Sequence, residues 1–143
     1  MQLSQFTDYA LRALIYIAVK DSNCTIAEIS QSYAISENHL VKIIHRLAKE
    51  GIVKTSRGKH GGLSLAMPAE EINLKNMVCL LETHLHIVEC FNEEKANCRI
   101  IPVCKLKHVL SDAKNQFLNV LANYSLADLI ENKEALKAEF GMG

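Results

Sequence analysis

Residues 25–66 constrain this chain more than any other stretch, because they spell two short capped helices followed at once by a glycine-rich hairpin. Thr25-Ile26-Ala27-Glu28 has the form of a capping box, in which the Thr25 hydroxyl accepts from the Glu28 amide and the Glu28 carboxylate reaches back. The spacing predicts a helix to about Ser32, a tight turn at Tyr33-Ala34-Ile35, and a second helix from the N-cap Ser36 to about Glu50. Two capped helices joined by so few residues form a helix-turn-helix. Gly51 suits the position that follows a helix C-terminus. Ile52–Ser56 and Leu63–Ala66 then suit short strands, joined by the tip Arg57-Gly58-Lys59-His60-Gly61-Gly62. A basic hairpin tip beside a helix-turn-helix is a DNA-binding wing, with Arg57 or Lys59 suited to the minor groove. A nucleotide-binding loop fits less well, because no Gly-Lys-Ser/Thr ending and no helix start follow the glycines.

Charge supports this placement. The chain has no net charge, yet residues 36–66 hold six basic side chains (Lys42, Arg46, Lys49, Lys54, Arg57, Lys59) against Glu37 and Glu50. Residues 67–104 hold three basic against six acidic. Local positive charge is the footprint of a phosphate-facing surface. In the second helix Leu40, Ile43, Ile44 and Leu47 form the inward stripe. Asn38, His39, Lys42, His45, Arg46 and Lys49 face outward, a donor-rich face suited to a major groove. The DNA-contacting set expected here is Ser36, Asn38, His39, Lys42, His45, Arg46, Arg57, Lys59 and His60.

Upstream, Phe6, Tyr9, Ala10, Leu14, Ile17 and Ala18 predict a buried helix over Ser4–Lys20. Downstream, Leu74, Met77, Val78 and Leu81 predict a helix over about Asn73–Glu82, after which residues 84–101 lose periodicity. Pro102 is expected in the first turn of a long helix whose seam is Val103, Leu106, Leu110, Ala113, Phe117, Val120 and Tyr124. Those 3- and 4-residue steps are an a/d heptad pattern, and some 22 residues make a rod of roughly 33 Å. Such a rod suits pairing with its copy in a homodimer. Ser125-Leu126-Ala127-Asp128 reads as a capping box for one final helix ending near Phe140. The expected fold is mainly α: a winged helix-turn-helix with a two-stranded wing over 1–67, then a cysteine loop and long dimerisation helix over 68–143.

Three thiols, Cys90, Cys98 and Cys104, fall within fifteen residues. Soft thiolates select zinc or iron–sulfur clusters. With His108, four residues after Cys104, they would make a Cys₃His zinc site. Three thiols in a long loop also suit a cluster that takes an oxygen or nitrogen ligand on one iron. Both remain open from the residues alone.

Four stretches carry a resemblance: Gln5-Phe6-Thr7-Asp8-Tyr9-Ala10-Leu11-Arg12-Ala13-Leu14, the Arg57–Gly62 wing tip, the cysteine loop, and Asn123-Tyr124-Ser125-Leu126-Ala127-Asp128-Leu129. Together they resemble the NsrR group of nitric-oxide-sensitive repressors, in the winged-helix iron–sulfur regulator family that also includes IscR. The resemblance implies a homodimeric repressor of nitrosative-stress genes that binds double-stranded operator DNA. It implies a 4Fe–4S cluster held by Cys90, Cys98 and Cys104, with Asp8 of the partner subunit as fourth ligand, nitric oxide attacking the cluster and DNA being released. On this chain alone Asp8 reads as helix-terminal charge or as a pair with Arg12. Two positions depart from the family pattern. Seven residues separate Cys90 from Cys98, longer than expected. In IscR-type 2Fe–2S regulators a histidine stands three residues after the last cysteine; here that residue is Lys107, and His108 follows.

Competing expectations are an IscR-like 2Fe–2S regulator, a zinc- or thiol-switched regulator and, from another class, an iron–sulfur carrier or redox protein with a vestigial winged helix. No nucleophile–base pair suggests an enzyme. No apolar run approaches the roughly 18 residues of a membrane span, and the N-terminus lacks a secretory signal pattern, so a cytoplasmic location is expected. Cys79 is expected in the core, Cys24 as a loop thiol, and His84 and His86 on the surface.

Overall fold

The computed structural model describes residues 1–143. Its elements are α1 (Gln5–Val19), α2 (Ile26–Tyr33), α3 (Glu37–Lys49), β1 (Val53–Ser56), β2 (Gly62–Leu65), α4 (Leu74–Leu81), α5 (Lys105–Ala122), α6 (Leu126–Leu129) and α7 (Lys133–Glu139). The strands form one antiparallel pair, with Val53 opposite Leu65 and Ser56 opposite Gly62. The mainly helical winged helix-turn-helix read from the sequence is therefore the fold observed.

Local hydrogen bonds explain where the helices begin. Ser4 Oγ accepts from Thr7 N, Ser36 Oγ from His39 N and Asn73 Oδ1 from Asn76 N, each at 3.2 Å. At α2 both halves of the capping box form, with Thr25 N donating to Glu28 Oε2 at 2.6 Å and Glu28 N to Thr25 Oγ1 at 3.2 Å. The other carboxylate oxygen of Glu28 pairs with Lys20, tying the end of α1 to the start of α2. α2 ends at Ala34 in the left-handed region, φ 54°. Ser30 locks that turn, its carbonyl accepting from Ile35 N at 3.2 Å and its hydroxyl donating to Ile35 O at 2.6 Å.

One core unites α1, the inward face of α3, the strands and α4. Leu40, Ile43, Ile44 and Leu47 are buried as their spacing requires, as are Leu74, Met77, Val78 and Leu81. The core crosses residue 67, because Ile72, Met77, Leu81 and Leu126 belong to the same cluster as Leu14 and Leu40.

Four expectations are corrected. The long helix spans 18 residues from Lys105, about 27 Å rather than 33 Å; Pro102 sits in a separate 3-10 turn, Ile101–Val103, that closes before it. The final helix is two pieces, α6 and α7, with Ile130–Asn132 between them. Cys24 is the core cysteine, 1% exposed, because its N–H and carbonyl pair with Leu63 along the free edge of β2. Cys79 is exposed, since it lies off the stripe that Leu74, Met77, Val78 and Leu81 turn inward. No helix is long and apolar enough to cross a membrane.

Candidate functional site

From its N-cap to its third turn α3 presents Ser36, Asn38, His39, Lys42 and His45, all exposed. Their inward neighbours Leu40, Ile43 and Ile44 hold the helix down, so the donors point away from the core. Lys42, Arg57 and Lys59 form no ion pair and their charges are free. Arg46 differs from them. Its Nε pairs with Glu50 at 3.0 Å and a terminal nitrogen donates to the Leu80 carbonyl at 3.2 Å, so it braces α3 against α4.

The wing tip is set by two glycines. At Gly62, φ is +139° and a Cβ would lie 2.6 Å from the Cys24 carbonyl oxygen, because Cys24 pairs with the neighbouring Leu63. At Gly61 a Cβ would lie 2.4 Å from Ser56 O, inside the turn. The tip leaves Arg57, Lys59 and His60 exposed beside α3, and Asn23 Nδ2 donates to the His60 carbonyl at 2.9 Å.

Sequence reasoning placed Tyr9 only in the core stripe of α1 and gave Gln5 no role. Gln5 Nε2 donates to Tyr9 Oη at 2.8 Å, and the Tyr9 ring lies 6.2 Å from the His39 ring. With Phe6, Lys42 and Ile43 they line a depression of about 150 Å³ at the start of α3. Gln5 and Tyr9 stand at i, i+4, which is readable; the packing of α1 on α3 is not.

The cysteine loop is built differently. Cys90 sits in a 3-10 turn, Glu89–Phe91, pinned where Lys114 Nζ lies 5.1 Å from the Phe91 ring. Cys98 is exposed; its carbonyl accepts from Ile101 N at 3.3 Å. Cys104 is not in the first turn of the long helix but is its N-cap, Sγ accepting from Lys107 N at 3.4 Å. That end of a helix favours a negatively charged ligand atom. All five thiols are free, and the three in the loop supply the soft donor set that a cluster requires. The single chain does not gather them: no three Cys, His, Asp or Glu side chains stand close enough to share one ion. His108 is exposed on α5, and His84 and His86 stack on the surface at 4.8 Å. Asp8 is bound in a fork by Arg12, at 3.0 and 2.8 Å, and remains partly exposed.

No residue from Glu82 to Ser125 is buried. On α5 the exposed apolar side chains are Leu106, Val109, Phe117 and Val120, with Val103 (80% exposed) just before it and Tyr124 just after. An apolar recess of about 480 Å³ adjoins them, lined in part by Leu3, Leu85, Ile87, Leu110, Ala113 and Phe117.

Comparison with known proteins agrees with this architecture. The sequence profile of the Rrf2 family, described as an iron-dependent transcriptional regulator, matches residues 3–132. The chain is 45% identical over 139 residues to the HTH-type transcriptional regulator NsrR of Bacillus licheniformis, covering 96% of this chain and 97% of that one. To NsrR of Bacillus subtilis it is 46% identical over 136 residues, covering 94% and 93%. Among solved structures, T. potens IscR superposes with a TM-score of 0.75 at 24% identity over 96% of this chain and 91% of that one, a likeness of fold.

Proposed function

The chain belongs to the Rrf2 family of transcriptional regulators, and on that premise we propose that it is a nitric-oxide-sensing repressor. It binds double-stranded operator DNA as a homodimer while Cys90, Cys98 and Cys104 hold an iron–sulfur cluster, 4Fe–4S rather than 2Fe–2S. The observation that carries this reading is the near-full-length similarity to regulators named NsrR, in a chain whose thiols offer the donors a cluster needs. Residues 1–67 are the DNA-binding part and 68–143 the sensing and dimerising part, working in the cytoplasm.

In this reading Asn38, His39 and His45 meet base edges, Arg57 or Lys59 enters the minor groove, and Ser36, Lys42 and His60 meet the backbone. Arg46 contributes by bracing α3 rather than by touching DNA. The exposed apolar strip on α5 and its recess favour a second copy as the covering partner. Two copies place their α3 helices in successive major grooves, about 34 Å apart. The chemistry that a cluster supplies when bound is reactivity of iron toward nitric oxide. Cys104 links that chemistry to α5, because one residue is both thiol ligand and helix cap. On this reading Asp8 is the ligand offered to the partner's loop, and exchanging the exposed Arg12 pair for a ligand bond would cost little. Were Asp8 to lose that bond, one subunit would be held less firmly to the other and the operator would be released.

The test is anaerobic purification with iron, sulfide and zinc analysis. Binding is then assayed on a duplex that the loaded chain selects from a randomised library. Iron and sulfide together, and release of the duplex by nitric oxide, are expected. Zinc without sulfide would select a zinc-switched regulator, and a complex indifferent to nitric oxide would refute the sensing role.

A further inference from the structure

The family match ends at residue 132, yet the residues after it are packed. Lys133, Lys137 and Phe140 recur at i, i+4 and i+7, so they share one face of the C-terminal helix. Lys133 Nζ and Lys137 Nζ each donate to the Asp21 carboxylate at 2.6 Å, just beyond the end of α1. The Phe140 ring lies 5.0 Å from Tyr16 of α1 and 5.4 Å, edge-on, from Tyr33 of α2. α7 closes in a Schellman turn: Gly141 has φ 68°, its N–H donates to Ala138 O at 3.1 Å, and Met142 N donates to Lys137 O at 2.8 Å. That turn folds Met142 back against the core.

Tyr33 is the last residue of α2, and the left-handed Ala34, buried Ile35 and cap Ser36 follow it directly into α3. A left-handed alanine is unfavourable on its own, so this turn depends on what packs against it. At its other end the same segment continues directly from α5, and both are fastened to Ile72 and Asn73 at the start of α4. Asn73 Nδ2 donates to Ala122 O at 2.8 Å and to Tyr124 O at 3.3 Å, and Leu126, fully buried, donates its N–H to Ile72 O at 2.8 Å.

We infer that Ser125–Met142 is a strap that sets the orientation of α3 relative to α5, with Phe140 as its positioning residue on the helix-turn-helix. This rests on α3 being the DNA-contacting helix. The strap gives the α5 end of the molecule a packed route to the recognition helix that does not pass through the cysteine loop.

The test uses full-length Phe140→Ala, Phe140→Leu and Asp21→Asn. Each is compared with the unaltered chain on the selected duplex and on a scrambled duplex, with amide hydrogen exchange followed at Ala34–Ser36. Phe140→Ala is expected to weaken the selected duplex about tenfold, the size of one lost aromatic contact. It is expected to leave scrambled-duplex affinity and salt dependence unchanged and to speed exchange at Ala34–Ser36. Phe140→Leu and Asp21→Asn should show the same pattern more weakly, and they carry the test if Phe140→Ala does not fold. A lower melting temperature with unchanged duplex preference and unchanged exchange at Ala34–Ser36 overturns the strap. If the unaltered chain selects no duplex, the DNA reading fails instead, and exchange alone decides whether Phe140 holds the turn.

Discussion

Lys42 and Arg46 lie one helical turn apart, and the structure predicts opposite phenotypes for them. Lys42 has no ion-pair partner, whereas Arg46 is committed to Glu50 and to the Leu80 carbonyl. Each phosphate contact contributes about −0.9 to the slope of log K against log salt. In a symmetric dimer Lys42→Ala deletes two contacts, so the slope should flatten by about 1.8. Referred to about 1 M salt, that slope weakens binding about 30-fold at about 0.15 M. Arg46→Ala should leave the slope unchanged and instead lower stability by about 1 kcal/mol or less, the worth of an exposed ion pair and one hydrogen bond. Fluorescence anisotropy across a salt series, with urea unfolding of each variant, reads both quantities. Equal flattening by the two substitutions would refute the assignment of Arg46 as a brace. An unchanged slope for Lys42→Ala would refute the phosphate-facing reading of α3.

Gly62→Ala should destabilise the fold by about 2 kcal/mol, because its backbone favours glycine and the new Cβ would meet the Cys24 carbonyl at 2.6 Å; urea titration checks this. Lys133 and Lys137 pull the Asp21 carboxyl down to about 2 by hydrogen bonding and charge. A depressed folded-state value adds stability above the ordinary value near 4, and that stability is lost as pH falls from about 4 to 2. Asp21→Asn should remove this part of the acid dependence of the melting temperature, and high salt should weaken it. Burial pushes the Cys24 thiol up to about 11, so iodoacetamide at pH 8 should spare Cys24 in the folded, cluster-free chain while labelling the exposed Cys79 and Cys98, as read by mass spectrometry.

What was legible in the sequence was mostly short-range. The caps read at Thr25 and Ser36 bond to amides three residues away, so the signal and its partner share one window. The α3 stripe is equally local, and Cys79 was misplaced although the phase of Leu74, Met77, Val78 and Leu81 already turns it outward. Cys24 is another matter. Its burial depends on Leu63, which follows it by thirty-nine residues, and nothing near Cys24 announces that pairing. Arg46 looked like a free donor because its second partner is a carbonyl on α4. Pro102 was a true boundary signal read one element late: it sits in a 3-10 turn, and the helix waits for the Cys104 cap.

The stretch from Glu82 to Ser125 resists a sequence reading for a stronger reason: a single chain does not bury any of it. Donor identity is local, so the three thiols were visible, but the single chain does not bring them together. The α5 strip sharpens this. A two-helix seam needs only the a and d positions, yet Val109, outside that heptad, is 61% exposed. Adding it widens the apolar stripe to the breadth expected when a helix meets more than one neighbouring element. The recess bounded by Leu3, Ile87 and Phe117 lies beside that widened stripe. A partner covering both would therefore rest on α5 and on the residues leading into α1, the helix that carries Asp8.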